Sequence, residues 1–415
     1  WHAKPAGYGV WYRRSTDGGT TWENARALYL RRAEGWNGYS NMMAVEGNDV
    51  HIIVPDNPSS ENPGNTNAML TYLHSSDGGA SFQTYYLDTV AAGYYSVDAA
   101  IIRVEGNHVA VAVKEYRNNN DVLKIYRSTD NGASFSKMVL DLPHYVSTIG
   151  DFQIKGDQWA VLWSYRGYNN EGVFVTTGTF SGDAIASSEL SPEMDNRHYG
   201  VLSKQSGLNG DDYNFHPMMA ITGTSTIHVL FHGVRQVGEE DRNPYRALYV
   251  RSDDFGETWG AIHKLDDSSN QHGTLVAKGN NVYIIVGSNY NRWIAYSNDN
   301  GDTWKTNKTM CYGSQYGDNY DSPRAYSLVI DPNDPTGSTA WYIGAKWLAL
   351  QTKDGFNTLS YATRLDSYVR SKISGNRGSQ MAPLLAIDAS GTNHWLMREF
   401  AGDADVTGER LLNQL

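Results

Sequence analysis

One short segment limits what this chain can fold into. Ser15-Thr-Asp17-Gly-Gly-Thr-Thr-Trp22 comes back as Ser75-Ser-Asp77-Gly-Gly79-Ala-Ser81-Phe82 and as Ser128-Thr-Asp130-Asn-Gly132-Ala-Ser134-Phe135. Further on it returns as Ser252-Asp-Asp254-Phe-Gly256-Glu-Thr258-Trp259 and Ser297-Asn-Asp299-Asn-Gly301-Asp-Thr303-Trp304, with a worn copy at Thr352-Lys-Asp354-Gly-Phe356. The Asp carboxylate can accept backbone N–H bonds inside a tight turn. The Gly supplies a positive φ that other residues resist. The terminal aromatic plugs into the apolar layer beneath. Each copy therefore reads as a strand–turn–strand corner, structural rather than catalytic.

The motif resembles the Asp-box, or BNR repeat, of sialidase-like β-propellers. The resemblance covers most of the chain as a repeat. It implies a propeller in which each box sits on the turn between the third and fourth strands of a blade, away from the ligand face. It also implies a leaning towards glycans.

The box aspartates fall at 17, 77, 130, 254, 299 and 354, so the steps are 60, 53, 124, 45 and 55. The long step is two units, one without a box; Phe174-Val-Thr-Thr-Gly-Thr after Tyr165-Arg166 marks that unit. A second repeat is an apolar strand, a short polar turn and another apolar strand, as in Met42–Val54 and Ala99–Val113. Others begin near Phe152, Met218, Thr274, Ser327 and Ala382, which makes seven inner hairpins. The last hairpin has no box after it, and the first box has no hairpin before it. The expected fold is all-β: a seven-bladed β-propeller of four-stranded antiparallel blades. N- and C-terminal strands share one blade, which removes exposed edges. It forms a single domain over 1–415, with blades at 40–91, 96–140, 145–190, 214–265, 270–310, 323–365, and 378–400 joined to 7–30.

Composition agrees with this. The 415 residues would overfill one ordinary core, but repeats escape that limit because each unit packs only on its neighbours. The chain has 28 Tyr, 12 Trp and 41 Gly, a mixture that favours strands and turns. A net charge of −11 argues against a nucleic-acid partner. No apolar run approaches the roughly 20 residues of a membrane helix, so no membrane insertion is expected. Cys311 stands alone, which rules out an intrachain disulfide and suits a small core residue. The chain begins at Trp1 without a signal peptide and reads as a mature or trimmed product. Secretion to an extracellular location is inferred from class, and a monomer is expected.

Chemistry is expected in the long loops entering the innermost strands and leaving the second strands, which are rich in Tyr, Asn, His and Arg. In the hairpin near Met218 the turn centres near Thr224, so facing residues sum to 448, as His216 and His232 do. Residues opposite each other across antiparallel strands bring Cβ atoms to about 5 Å. With Tyr213 and Arg235 beside them, these histidines suit proton abstraction next to a uronate carboxylate neutralised by the Arg. A simple cross-strand hydrogen bond is the other use of such a pair. In the Ala99 hairpin facing residues sum to 213, which places Asp98 opposite Glu115. Such carboxylates could be the acid and the nucleophile or base of a glycosidase, whose carboxyls lie about 5–9.5 Å apart. They could also hold a structural Ca2+, or be neutralised in a salt bridge. Candidate sugar-binding residues are Trp36, Tyr39, Tyr94, Tyr95, Tyr165 and Tyr290, whose ring faces stack on sugars. Arg117, Arg166, Arg292, Arg324 and Arg398 could serve an anionic ligand. No cofactor is required for either chemistry.

Classical sialidases carry a Phe-Arg-Ile-Pro-like segment before the first box and usually six blades. The residues before Ser15, Trp1-His-Ala-Lys-Pro-Ala-Gly-Tyr-Gly-Val-Trp-Tyr-Arg-Arg14, contain no such segment. The resemblance therefore implies the fold without the sialidase site. Two function classes follow: a secreted enzyme cleaving an acidic polysaccharide by β-elimination or hydrolysis, or a non-catalytic polysaccharide-binding propeller such as a matrix adhesin or lectin-like module.

Overall fold

In the computed structural model the described residues are 9–16, 21–30, 43–56, 68–90, 95–117, 120–143, 145–166, 171–182, 184–190, 193–194, 197–198, 218–234, 245–265, 272–287, 292–307, 327–343, 348–358, 360–364, 384–387 and 393–396. Among them every regular element is a strand. No helix there is long and apolar enough to cross a membrane. Two compact units emerge: Trp1–His198 with Phe255–Glu257, and Tyr199–Asp254 with Thr258–Leu415.

The first unit holds three four-stranded antiparallel sheets in simple up-and-down order. The first runs through Met43–Glu46, Asp49–Asp56, Ala68–Ser75 and Gln83–Val90. The second runs through Tyr95–Glu105, His108–Arg117, Asn120–Ser128 and Ser136–Val139. The third runs through Thr148–Lys155, Gln158–Arg166, Glu171–Thr179 and Ala184–Glu189. Gly9–Tyr12 pairs with Arg26–Leu30 as a two-stranded sheet whose Val10, Tyr12, Leu28 and Tyr29 pack on the first sheet.

The second unit repeats the plan. Its fourth sheet is Met218–Thr222, Thr226–Val234, Tyr245–Ser252 and His263–Lys264. The fifth is His272–Lys278, Asn281–Gly287, Arg292–Ser297 and Lys305–Asn307. The sixth is Ser327–Ile330, Ala340–Ile343, Leu348–Thr352 and Ser360–Arg364. Leu384–Ile387 and Asn393–Leu396 form one further hairpin. All seven apolar–turn–apolar repeats are thus antiparallel hairpins.

The apolar cores lie between successive sheets. Ile53, Tyr72, Ile102 and Val111 join the first sheet to the second, and Ala112, Ile125, Phe152 and Trp163 the second to the third. In the other unit Leu230, Tyr249, Ile284 and Ala295 join the fourth to the fifth, and Tyr283, Ile294, Tyr342 and Phe356 the fifth to the sixth. Both faces of second strands such as His108–Arg117 and Gln158–Arg166 are covered, which explains apolar runs without clean alternation.

The boxes form as their chemistry requires. Ser128 Oγ donates to Asp130 Oδ1 and accepts from Gly132 N at 2.8 Å, while Asp130 accepts from Ser134 N and Ser134 Oγ at 2.9 and 2.6 Å. The hydroxyls of Ser128 and Ser134 hold the Asp130 carboxyl down at about 2. The worn copy is complete: Thr352 and Thr358 take the hydroxyl positions, and Phe356, at φ 67°, occupies the left-handed position that Gly132 (82°) and Gly301 (93°) hold elsewhere. The first box, at Asp17, lies outside the described residues.

Three box glycines also seat a tyrosine from the preceding repeat. A Cβ at Gly79 would overlap the Tyr12 hydroxyl, at Gly132 the Tyr72 hydroxyl, and at Gly301 the Tyr249 hydroxyl. The box aromatic then meets the same ring edge-on: Phe82 on Tyr12 at 5.1 Å, Phe135 on Tyr72 at 5.0 Å and Trp304 on Tyr249 at 4.6 Å. Two of these hydroxyls bond to a buried histidine in their own sheet, Tyr72 to His51 Nδ1 and Tyr249 to His228 Nδ1, both at 2.7 Å.

Candidate functional site

Within each boxed sheet the inner-hairpin turn and the box turn share one end. Gly78 N donates to Asn48 O at 2.8 Å, Asn131 N to Asn107 O at 2.9 Å, and Asn300 N to Asn280 O at 2.7 Å. The opposite ends carry the strand termini where the sequence places its candidates. Tyr95 and Arg117 are register partners there, with Asn120 next to Arg117. Arg166 pairs with Glu171, and Arg292 with Gly287. Tyr165, half-buried, meets the exposed Tyr145 edge-on at 4.8 Å. Trp36, Tyr39, Tyr94, Tyr213, His216, Arg235, Tyr290, Arg324 and Arg398 lie outside the described residues.

In the fourth sheet the register runs from Met218↔Leu230 to Thr222↔Thr226, so partners sum to 448 throughout. His232 continues the second strand two residues past Leu230, paired on its other side with Ala247.

The second sheet departs from the sequence reading. A β-bulge between Val97 and Ala99 shifts the register by one, so Val97, not Asp98, pairs with Glu115. A bulge inserts one residue that the partner strand does not match, and hairpin counting from the turn cannot see it. Glu115, 2% exposed, ion-pairs with Lys124 on the next strand. Lys124 also reaches Asp88 of the first sheet at 3.1 Å, and Tyr126 donates to the same carboxylate at 2.6 Å. Burial would raise the Asp88 pKa, but the bonds from Tyr126 and Lys124 outweigh it and hold it at about 2. Lys114 pairs instead with Asp121 at 3.5 Å. Asp88 and Lys124 carry no motif; only the alignment of two adjacent sheets reveals them.

Sequence reading also passed over a cluster at the box end of the first sheet. His51 and His74 are cross-strand partners with rings stacked at 4.7 Å and 8°. His74 Nε2 lies 2.9 Å from Asp49 Oδ1. Counting outward from the box would have found the pair, because Val50 opposes the box Ser75 and the next residues out are His51 and His74.

No protein-family model matches the chain, and no curated protein matches it. Among solved structures the chain is similar to the polysaccharide lyase Uly1, at 11% identity and a TM-score of 0.49, over 91% of this chain and 89% of that one. It is also similar to YCF48 from Cyanidioschyzon merolae, at 11% identity and a TM-score of 0.39, over 83% and 92%. A third likeness is to Trypanosoma rangeli sialidase in complex with sialic acid, at 10% identity and a TM-score of 0.41, over 91% of this chain and 54% of the sialidase.

Proposed function

We propose that the chain is a secreted, glycan-active β-propeller of seven blades that cleaves an acidic, uronate-containing polysaccharide by β-elimination. The sheets are its blades, the first and last hairpins share one blade, and the strand ends opposite the boxes form the substrate rim. The observation that supports this reading is the register of the fourth sheet, Met218↔Leu230 to Thr222↔Thr226, whose partners sum to 448, the same sum that pairs His216 with His232 in the sequence. Arg235 neutralises the uronate carboxylate, which acidifies the adjacent C5–H. A histidine or Tyr213 takes that proton. The C4–O bond breaks as the C4=C5 bond forms, and the leaving oxygen receives a proton from the other group. The aromatic and Arg residues at the strand ends hold neighbouring sugars.

Elimination is favoured over hydrolysis because Glu115 is sealed in its ion pair with Lys124 and does not face Asp98. A binding propeller without catalysis uses the same rim. A panel of uronate-containing polymers, read for binding and for the ultraviolet absorbance of unsaturated uronates, separates these. The wild-type chain is expected to form unsaturated product. His216→Ala and His232→Ala each lose at least about 100-fold in rate, within the usual range for a general acid or base, while binding persists. Binding without product from any polymer would make the chain a binder. Full activity in the histidine variants would overturn the catalytic assignment.

A further inference from the structure

We propose that Asp49, His51 and His74 form a binding site for Zn2+ at the box end of the first sheet. One ligand atom from each residue can be chosen so that all three lie within 4.8 Å of one another. Two imidazoles and a carboxylate suit zinc, whereas Ca2+ and Mg2+ prefer all-oxygen sets. Three protein ligands leave a fourth position for water. The Asp49–His74 hydrogen bond of 2.9 Å needs to open only to about 3.3 Å, the edge of a tetrahedron with bonds near 2 Å.

The strongest pointer is a nitrogen without a partner. His51 is fully buried, its Nδ1 is bonded to the Tyr72 hydroxyl at 2.7 Å, and its Nε2 has no hydrogen bond. Leaving such a group unpaired costs about 1–3 kcal/mol. The matching histidine of the fourth sheet shows that the motif does not require this. His228 makes the same Nδ1 bond to Tyr249, yet its Nε2 meets Thr222 Oγ1 at 2.8 Å. The position matching Thr222 in the first sheet is Glu46, by register against Asp49 and Thr226. Glu46 turns its carboxylate away to Gly106 N at 2.7 Å. The first sheet thus strips the histidine of its neutral partner and places a second imidazole and a carboxylate beside it.

The support around the ligands fits as well. With Nδ1–H donated to Tyr72, His51 presents its Nε2 lone pair, the arrangement by which outer hydrogen bonds orient metal-bound histidines. The side chains of Asp49 and His74 keep 29% and 15% of their exposure, which leaves a path for an ion. Asp49 also accepts a hydrogen bond from the Asn131 side chain of the second box, so a bound ion would tie the first sheet to the second.

The full chain, stripped with EDTA and dialysed, is titrated with Zn2+ by calorimetry and with Co2+ by visible absorption. One equivalent is expected to bind, with cobalt bands of a low-coordinate nitrogen–oxygen site. Asp49→Asn and His74→Arg should each lose that equivalent. His74→Arg should fold normally, because Arg127 and Arg251 hold the same place before their boxes. Tyr72→Phe should bind zinc about 10–100-fold more weakly, through the lost outer hydrogen bond. Failure of the wild-type chain to bind Zn2+, or an unchanged stoichiometry in folded Asp49→Asn and His74→Arg, would overturn the proposal.

Discussion

The first and fourth sheets share one device and finish it differently. In both, a buried histidine on the second strand bonds a tyrosine hydroxyl on the third, and that hydroxyl sits in the hollow over the next box glycine. The fourth sheet closes the network with Thr222, which also contacts Asn300 Oδ1 at 2.9 Å, and places Arg251 where the first sheet has His74. The first sheet leaves a nitrogen bare. The His–Tyr device recurs in these two sheets, and the residues around the histidine decide whether it is saturated or able to take a ligand.

The comparison breaks first at the glycine. Gly301 has φ 93° and the Tyr249 hydroxyl above it, so Gly301→Ala meets both backbone strain and overpacking, together roughly 3–4 kcal/mol. Gly223→Ala, with φ 58° and open space, should lose only about 1 kcal/mol in the same denaturant titration. Equal losses would mean that the tyrosine seat contributes nothing.

The next effect is pH. Burial, aided by Arg251, lowers His228 to about 4 from the ordinary 6.5. Between those values the unfolded chain takes up a proton that the folded chain refuses, so stability is full above pH 6.5 and falls as pH drops to 4. The loss is roughly 3 kcal/mol. His228→Gln should make this limb of a stability–pH curve shallower, His51 contributing to it in the same way. Box carboxylates such as Asp130 and Asp254, each held near 2, weaken the fold only at lower pH, below the ordinary carboxylate range.

The smallest effect sharpens the contrast most. Thr222→Ala removes the hydroxyl partner of His228 Nε2, and should cost about 2 kcal/mol by thermal melting. If that variant melts like the wild type, an unpaired nitrogen carries little weight in either sheet.

What was legible in the sequence was local. Boxes span a handful of residues and their bonds run two to four residues along the chain, so the pattern Ser-x-Asp-x-Gly-x-Ser/Thr fixes them directly. Inner hairpins are nearly as local, and counting from the turn gave the fourth-sheet register correctly. The same count failed at Asp98 because a bulge is a backbone event with no residue signature here. The Glu115–Lys124–Asp88 chain was hidden because Asp88 and Lys124 belong to different sheets. The loop histidine His216 and most rim residues fall outside the described residues; the proposed elimination site was legible through register and residue type.

The tyrosine seats have one more consequence. Peg and socket are offset by one repeat: Tyr72 fits Gly132, while the box of its own repeat receives Tyr12. At these junctions each repeat therefore carries one half of the seam. Where peg and socket occur, a boundary placed between modules separates the two halves cleanly, whereas a cut between a tyrosine and the box of its own repeat would split a module that carries both a peg and a hole.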